Sequence, residues 1–229
     1  VEHPEPLPVP DELLTGPFAR ERREMLQCHL WARDVRNARV LRAMARVPRE
    51  AFIAPELRAK AYADCPLSIG LGQTISQPYI VARMSELAEV MPGTRVLEIG
   101  FGSGYQTAVL LELGAEVWGI ELEKTLAAAA AERLARLGYA RYHLRAGDGH
   151  GGWPEAAPFN VILVAAAATE LPPRLLEQLA PAGRLVAPVG QGDEQELVRV
   201  RREAGGLTHE EICGVRFVPL RRPEPAPWE

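Results

Sequence analysis

Glu98-Ile-Gly100-Phe-Gly102-Ser-Gly104 follows the apolar run Arg95-Val-Leu-Glu-Ile99 and precedes a helical pattern from about Tyr105 to Leu113. A strand, a glycine turn and a helix in that order open a βα unit. Downstream the pattern repeats. Val117 to Glu121 reads as a second strand, followed by an alanine-rich helix to Leu137, and Tyr142 to Ala146 as a third. Phe159 to Val164 is a strongly apolar fourth, and a helix from Pro173 to Leu179 leads to a fifth, Arg184 to Pro188. Strands alternating with helices predict an α/β fold: a doubly wound, mostly parallel sheet with helices on both faces and right-handed crossovers. Glu196 to Arg202 and Glu210 to Val218 are separated by Ala204-Gly-Gly206 with no helix between them, which predicts an antiparallel C-terminal hairpin at the sheet edge.

Upstream of the sheet the chain predicts a helical N-terminal extension. Phe18, Met25, Leu26, Leu30, Val40, Leu41 and Met44 recur at three- and four-residue spacings, so one long helix is expected from Phe18 to about Arg46. Residues 47–76 carry Pro48, Pro55, Pro66, Gly70 and Gly72 and read as turns and short helices. A helix is expected from Pro78 to Val90, ended by Pro92-Gly93. Four prolines in the first ten residues predict a mobile, proline-rich arm over 1–16. The expected organisation is that arm, a helical extension over 17–94 that holds a substrate and cofactor loop, and a core over 95–229, with extension and core forming one unit.

In an open α/β sheet, ligands lie beyond the carboxyl ends of the strands. The glycines let backbone approach a ligand closely. Their spacing is G-x-G-x-G; the residue at which a dinucleotide fingerprint wants its third glycine is Tyr105. A pyrophosphate needs an open helix N-terminus there, so a nicotinamide cofactor is disfavoured. Glu121 ends the second strand, where a carboxylate can accept from a ribose diol. Asp148, in Gly147-Asp-Gly149, follows the third and lies within reach of an adenine amino group. Glu98 supplies a third acid at a strand end. Acids at three consecutive strand ends suit a ligand with ribose, adenine and an ammonium but no phosphate. S-adenosyl-L-methionine (AdoMet) has those parts.

Composition narrows the partners. Hydrophobic residues make up 47% and charged residues 24% of 229, an ordinary globular profile. The net charge of −4 argues against nucleic acid as a partner. Cys28, Cys65 and Cys213 form no CxxC and the five histidines no ligand motif, so neither a disulfide framework nor a metal site is expected. No apolar run reaches the roughly 18 residues of a membrane span. A cytoplasmic monomer without a membrane or nucleic-acid partner is the expectation.

Three further stretches carry a resemblance. Pro66-Leu-Ser-Ile-Gly-Leu-Gly-Gln-Thr-Ile-Ser-Gln-Pro-Tyr79, Gly183-Arg-Leu-Val-Ala-Pro-Val-Gly190 and Val215-Arg-Phe-Val-Pro-Leu220, taken with the glycine loop, resemble the protein-L-isoaspartate O-methyltransferases from about Val47 to Leu220. The resemblance implies a Rossmann-like AdoMet enzyme. Such an enzyme methylates the free carboxyl of L-isoaspartyl residues, and of D-aspartyl residues more weakly, in damaged proteins and peptides, and releases S-adenosyl-L-homocysteine. It implies Ser76 as the active-site serine. It implies Gln73, Thr74, Ile75, Glu98, Gly100, Gly102, Ser103, Gly104, Glu121, Leu122, Asp148 and Gly149 as cofactor-binding. It implies Thr74, Ser76, Val215, Phe217, Val218 and Pro219 as substrate-binding, with an extended peptide beside Val215–Leu220. Departures from the family pattern are Cys65, where many relatives have histidine, Phe101, where a small residue is common, and Arg221.

The implied chemistry asks little of side chains. A carboxylate acceptor with a pKa of about 4 is already ionised at neutral pH and needs no general base. Ser76 sits outside any G-x-S-x-G elbow, so it orients the substrate rather than attacking it. Two other readings stay open at the level of sequence. One is an AdoMet methyltransferase with a small-molecule or RNA acceptor, although Val164-Ala-Ala-Ala-Ala-Thr169 offers no polar clamp after the fourth strand. The other is an AdoMet-binding protein without catalysis.

Overall fold

The structure, a computed structural model, describes residues 7–223. In chain order the elements are α1 (Ala19–Glu24), α2 (Ala38–Arg46), β1 (Leu67–Gly70), β2 (Gln73–Ile75), α3 (Pro78–Ala88), β3 (Arg95–Ile99), α4 (Tyr105–Glu112), β4 (Glu116–Glu121), α5 (Lys124–Arg136), β5 (Tyr142–Ala146), β6 (Phe159–Val164), α6 (Pro173–Glu177), β7 (Leu179–Gln191), β8 (Glu194–Glu203) and β9 (Gly206–Gly214). Seven strands make one sheet in the order β5-β4-β3-β6-β7-β8-β9. The strands from β5 to β7 pair in parallel, and β8 and β9 add antiparallel.

Alternation along the strands divides the core. Val96, Val117, Val161, Leu163 and Val186 belong to a buried cluster that includes α2, α3, α4 and the segment from Met25 to Tyr62. Leu97, Ile99, Trp118, Ile120, Ile162, Val164 and Leu185 belong to a second, with Leu175 of α6. Helices therefore cover both faces, and the N-terminal extension shares a core with the sheet. Glu98 has the parity of Val96, so its carboxylate faces the α4 layer, where it is wholly buried.

Four expectations change. The long helix from Phe18 to Arg46 is interrupted: after α1 the chain widens into a π-helix over Met25–Trp31, turns, and restarts at α2. The restart is capped by Asn37, whose Oδ1 accepts from Arg39 N (2.9 Å) and Val40 N (3.4 Å). Glu86 of α3 holds the turn before it, accepting from the N–H groups of Arg36 and Asn37 at 2.7 Å each. Within the expected turns of 47–76, β1 and β2 form a small hairpin. The strand expected over Arg184–Pro188 spans thirteen residues as β7, because an irregularity between Phe159 and Val161 absorbs Ala180–Gly183 and β8 pairs along its far side. The last strand ends at Gly214 rather than Val218, and Val215–Leu220 leaves the sheet.

Of the expected proline-rich arm, residues 1–6 lie outside the described residues. Over 7–16 the chain packs against the fold: Val9 and Leu14 are buried, Arg42 Nε donates to Pro8 O (3.2 Å) and Arg23 pairs with Asp11 (2.9 Å). Apolar residues between the prolines anchor it to α2.

Candidate active site

The loops after β3, β4 and β6 meet at the carboxyl edge of the sheet. Gly100 and Gly102 take φ of +79° and +49°, a left-handed backbone that glycine adopts without strain. A Cβ on Gly102 would stand 3.2 Å from Ile69 Cδ1, so the β1–β2 hairpin sits directly on the loop. Around the loop lie two small connected chambers of about 50 and 40 Å³. Gln73, Thr74, Gly100, Gly102, Glu121, Leu122 and Gly149 line the first. Thr74, Ile75, Ser76, Glu98, Gly100, Gly102 and Ser103 line the second. Val218–Arg221 roofs the first.

The acids differ in state. Glu98 Oε2 accepts from Thr107 Oγ1 at 2.6 Å, while Oε1 is buried without a partner. Burial pushes its carboxyl up to about 8, with the Glu121 charge adding to the rise and the Thr107 bond opposing it. Glu121 is held on both oxygens, by Gly102 N (2.8 Å) and Glu123 N (3.0 Å). A carboxylate offers about four acceptor positions, so capacity for a diol remains.

Two expected cofactor residues do not line the chambers. A Cβ on Gly104 would meet Ala130 Cβ at 3.3 Å and Leu134 Cδ1 at 3.5 Å; this glycine lets α4 start against α5. Asp148 lines a separate, larger groove of about 1210 Å³ on the other side of Pro219 and Leu220. Its Oδ1 accepts from His150 N (2.9 Å) and lies 2.6 Å from His150 Nδ1. Burial tends to raise the Asp148 carboxyl, but the bonds and charge of His150 outweigh it and hold the group below the usual range. Gly149 does line the first chamber, and packing requires it: a Cβ there would lie 2.3 Å from Ile99 Cγ2.

Past Thr74 and Ser76 the second chamber meets an open groove of about 940 Å³. Of the expected substrate residues, Thr74, Ser76, Val215, Phe217 and Val218 line it; Pro219 lies with the roof instead. Val215–Leu220 does not offer a bare strand edge, because its own chain has taken much of the backbone. Val215 N donates to Gln195 O (2.9 Å), Phe217 N to Gln195 Oε1 (2.7 Å), and Gln195 Nε2 to Phe217 O (3.1 Å). Val218 O and Leu220 N bond to Ala167 at 2.8 and 2.7 Å. Sequence reasoning missed Gln195, and also Arg33, whose guanidinium lies 3.4 Å from the centre of the Tyr79 ring on the groove wall. Nothing in the order of the chain places either beside Ser76.

Known proteins share this sequence pattern and this fold. The model of the protein-L-isoaspartate(D-aspartate) O-methyltransferase family matches residues 20–224. A protein-L-isoaspartate O-methyltransferase 2 of Anaeromyxobacter sp. (strain Fw109-5) is 53% identical over 88% of this chain and 84% of its own. A protein-L-isoaspartate O-methyltransferase of Synechococcus sp. (strain JA-2-3B'a(2-13)) is 48% identical over 95% of this chain and 91% of its own. Among solved structures, a Plasmodium falciparum chain assigned to the same enzyme class, in complex with S-adenosyl-L-homocysteine, superposes with a TM-score of 0.77. It is 26% identical, and the match covers 89% of this chain and 99% of that one. With its glycine loop, paired acids and serine-lined groove, the chain belongs to the protein-L-isoaspartate(D-aspartate) O-methyltransferase family.

Proposed function

We propose that this chain repairs damaged proteins by moving a methyl group from AdoMet to the free carboxyl of L-isoaspartyl residues, and more weakly of D-aspartyl residues. The observation that carries this reading is the meeting of two cavities at Ser76. One holds a cradle of glycines and acids without a phosphate site, and the other is an open groove of about 940 Å³, roomy enough for a peptide segment.

The residues fit the cofactor. The buried, unpartnered Oε1 of Glu98 suits an ammonium, and Glu121 suits a ribose diol. Gln73, Thr74, Ile75, Gly100, Gly102, Ser103, Leu122 and Gly149 complete the walls. Glu98 and Ser76 share one chamber and Glu121 and Gly149 the other, so the amino-acid end belongs beside the acceptor groove and the adenosine end under the roof. Bound there, AdoMet supplies a methyl group on a sulfonium cation, which an ionised carboxylate accepts by in-line displacement. Ser76 donates a hydrogen bond that orients the acceptor carboxylate, and Thr74, Val215, Phe217 and Val218 seat the peptide. Pro219 and Asp148 act from the roof and the neighbouring groove. The chain's task is alignment, for which well-oriented reactants gain up to about 7–11 kcal/mol.

The net charge of −4 supports a peptide rather than a nucleic-acid partner, and three unpaired cysteines support a reducing, cytoplasmic compartment. No helix among the described residues is long and apolar enough to cross a membrane. We also propose a monomer in which the extension over 17–94 and the core over 95–229 work as one unit. The test uses tritiated AdoMet and two peptides that differ only in L-isoaspartate against L-aspartate. Base-labile label on the isoaspartyl peptide alone is expected; label on neither, with AdoMet still bound, overturns the acceptor assignment.

A further inference from the structure

We infer that Arg49 is a positioning residue for the acceptor site, fixing Ser76 relative to the glycine loop through the Ser76 carbonyl. The inference rests on the reading of Ser76 as the acceptor-site serine given above.

Arg49 is wholly buried. Its Nη2 donates to Ser76 O at 2.7 Å and its Nε to Ala61 O at 2.7 Å. Its guanidinium carbon lies 4.7 Å from the centre of the Tyr105 ring. One planar cation thus ties together three segments: the extension at Ala61, the turn between β2 and α3 at Ser76, and the first residue of α4 directly after the glycine loop. Its bonds go to carbonyls and a ring face rather than to a carboxylate. Burying a charge on such terms is expensive, and filling the space needs only an apolar side chain. What the guanidinium adds is direction. A bond to Ser76 O fixes the peptide plane between Ser76 and Gln77, and with it the line along which the Ser76 side chain leaves the backbone. Gln77 is held in turn, with Nε2 donating to Asp64 O (3.1 Å) and its carbonyl accepting from Val81 N (3.1 Å). Both anchors lie at or just after the Ser76 carbonyl, so the backbone from which the Ser76 side chain leaves is held in place.

Lysine cannot reach both carbonyls with a planar fork. In Arg49→Lys the Ser76 turn loses its direction, and misplacement by about 1 Å costs on the order of 100-fold in rate. The experiment is a double-mutant cycle between Arg49→Lys and Ser76→Ala, with kcat and peptide KM measured at saturating AdoMet, AdoMet Kd by calorimetry and folding by circular dichroism. Arg49→Lys is expected to lower kcat by about tenfold or more, with AdoMet Kd within about threefold, and to lower it little further in the Ser76→Ala background, because coupled residues are not additive. Arg22→Lys is the control: Arg22 is buried in the same extension and bonds to Tyr62 and Ala45 instead. It is expected to cost stability and leave kcat unchanged in either background. An additive cycle overturns the inference and leaves the Ser76 reading intact. A Ser76→Ala enzyme with full turnover removes both. If Arg49→Lys does not fold, arginine ¹⁵N NMR of the wild-type protein reads the same contact. The Arg49 guanidinium signal is expected to move on isoaspartyl-peptide binding and in Ser76→Ala, and silence in both overturns the inference.

Discussion

The N–H of Gly102 donates to Glu121 Oε2 across 2.8 Å, so the glycine loop and the end of β4 form one hydrogen-bonded unit. One carboxylate therefore shapes the loop and, on the proposed reading, presents acceptor positions to a ribose. Hydrogen bonds to charged groups contribute about 1.5–3 kcal/mol each. Glu121→Gln keeps the size but halves the acceptors and sets its amide NH2 against one of the two backbone N–H donors, and its AdoMet Kd is expected to rise about tenfold, the equivalent of roughly 1.4 kcal/mol. Calorimetry checks this; an unchanged Kd removes Glu121 from the site.

Arg221 ties the roof of the first chamber to the loop after β4. Its Nη2 lies 2.6 Å from Glu123 Oε1, one residue beyond Leu122 in the chamber wall. Both side chains are partly exposed, so the pair contributes at most about 1 kcal/mol and weakens with salt. Arg221→Ala is expected to speed AdoMet release a few-fold at low ionic strength and by less at high. Stopped-flow release rates with equal gains at both salt levels would count against this tie.

Gln195 clamps the peptide-side segment by pairing with both backbone groups of Phe217. Replacing this buried amide with leucine leaves Phe217 N and O unpaired, at a cost of about 1–3 kcal/mol. Gln195→Leu is expected to lower the unfolding midpoint and raise peptide KM several-fold, with kcat nearly preserved. A lower midpoint with no change in KM would make the clamp purely structural.

The parallel core was legible because its strands carry their pattern locally. β3, β5 and β6 have the bounds their apolar runs predict. The β1–β2 hairpin was hidden because its strands, of four and three residues, are too short to carry an alternating pattern, although Gly70 and Gly72 marked the turn between them. The break after α1 was hidden because the apolar spacing runs on across it, while Glu86, fifty residues away, holds the turn. The acids were readable as a set from their places after strands. Their states were not: Asp148 turns to His150 and Glu98 is sealed behind Thr107, and both follow from packing. Phe101, a departure from the family pattern, lies over a strand glycine; a Cβ on Gly119 would stand 2.7 Å from its ring. The two positions make one fitted pair, which neither residue announces alone.

The raised carboxyl of Glu98 links binding and stability to pH in opposite senses. Its ordinary value is 4.5, and in the fold burial lifts it to about 8. Between these values the native state holds a proton that the unfolded chain has released. The contribution of Glu98 to stability is therefore fully present below pH 4.5 and is lost as pH rises through about 8. An ammonium beside Oε1 favours the ionised form, so AdoMet binding near neutral pH is expected to expel this proton. Affinity is then expected to rise with pH by up to about tenfold per unit below 8 and to level off above it. Calorimetry at pH 7 in buffers of different ionisation enthalpy is expected to show release approaching one proton, and Glu98→Gln is expected to abolish it. If wild type and Glu98→Gln give the same buffer dependence, the proton comes from another group and Glu98 does not meet the ammonium.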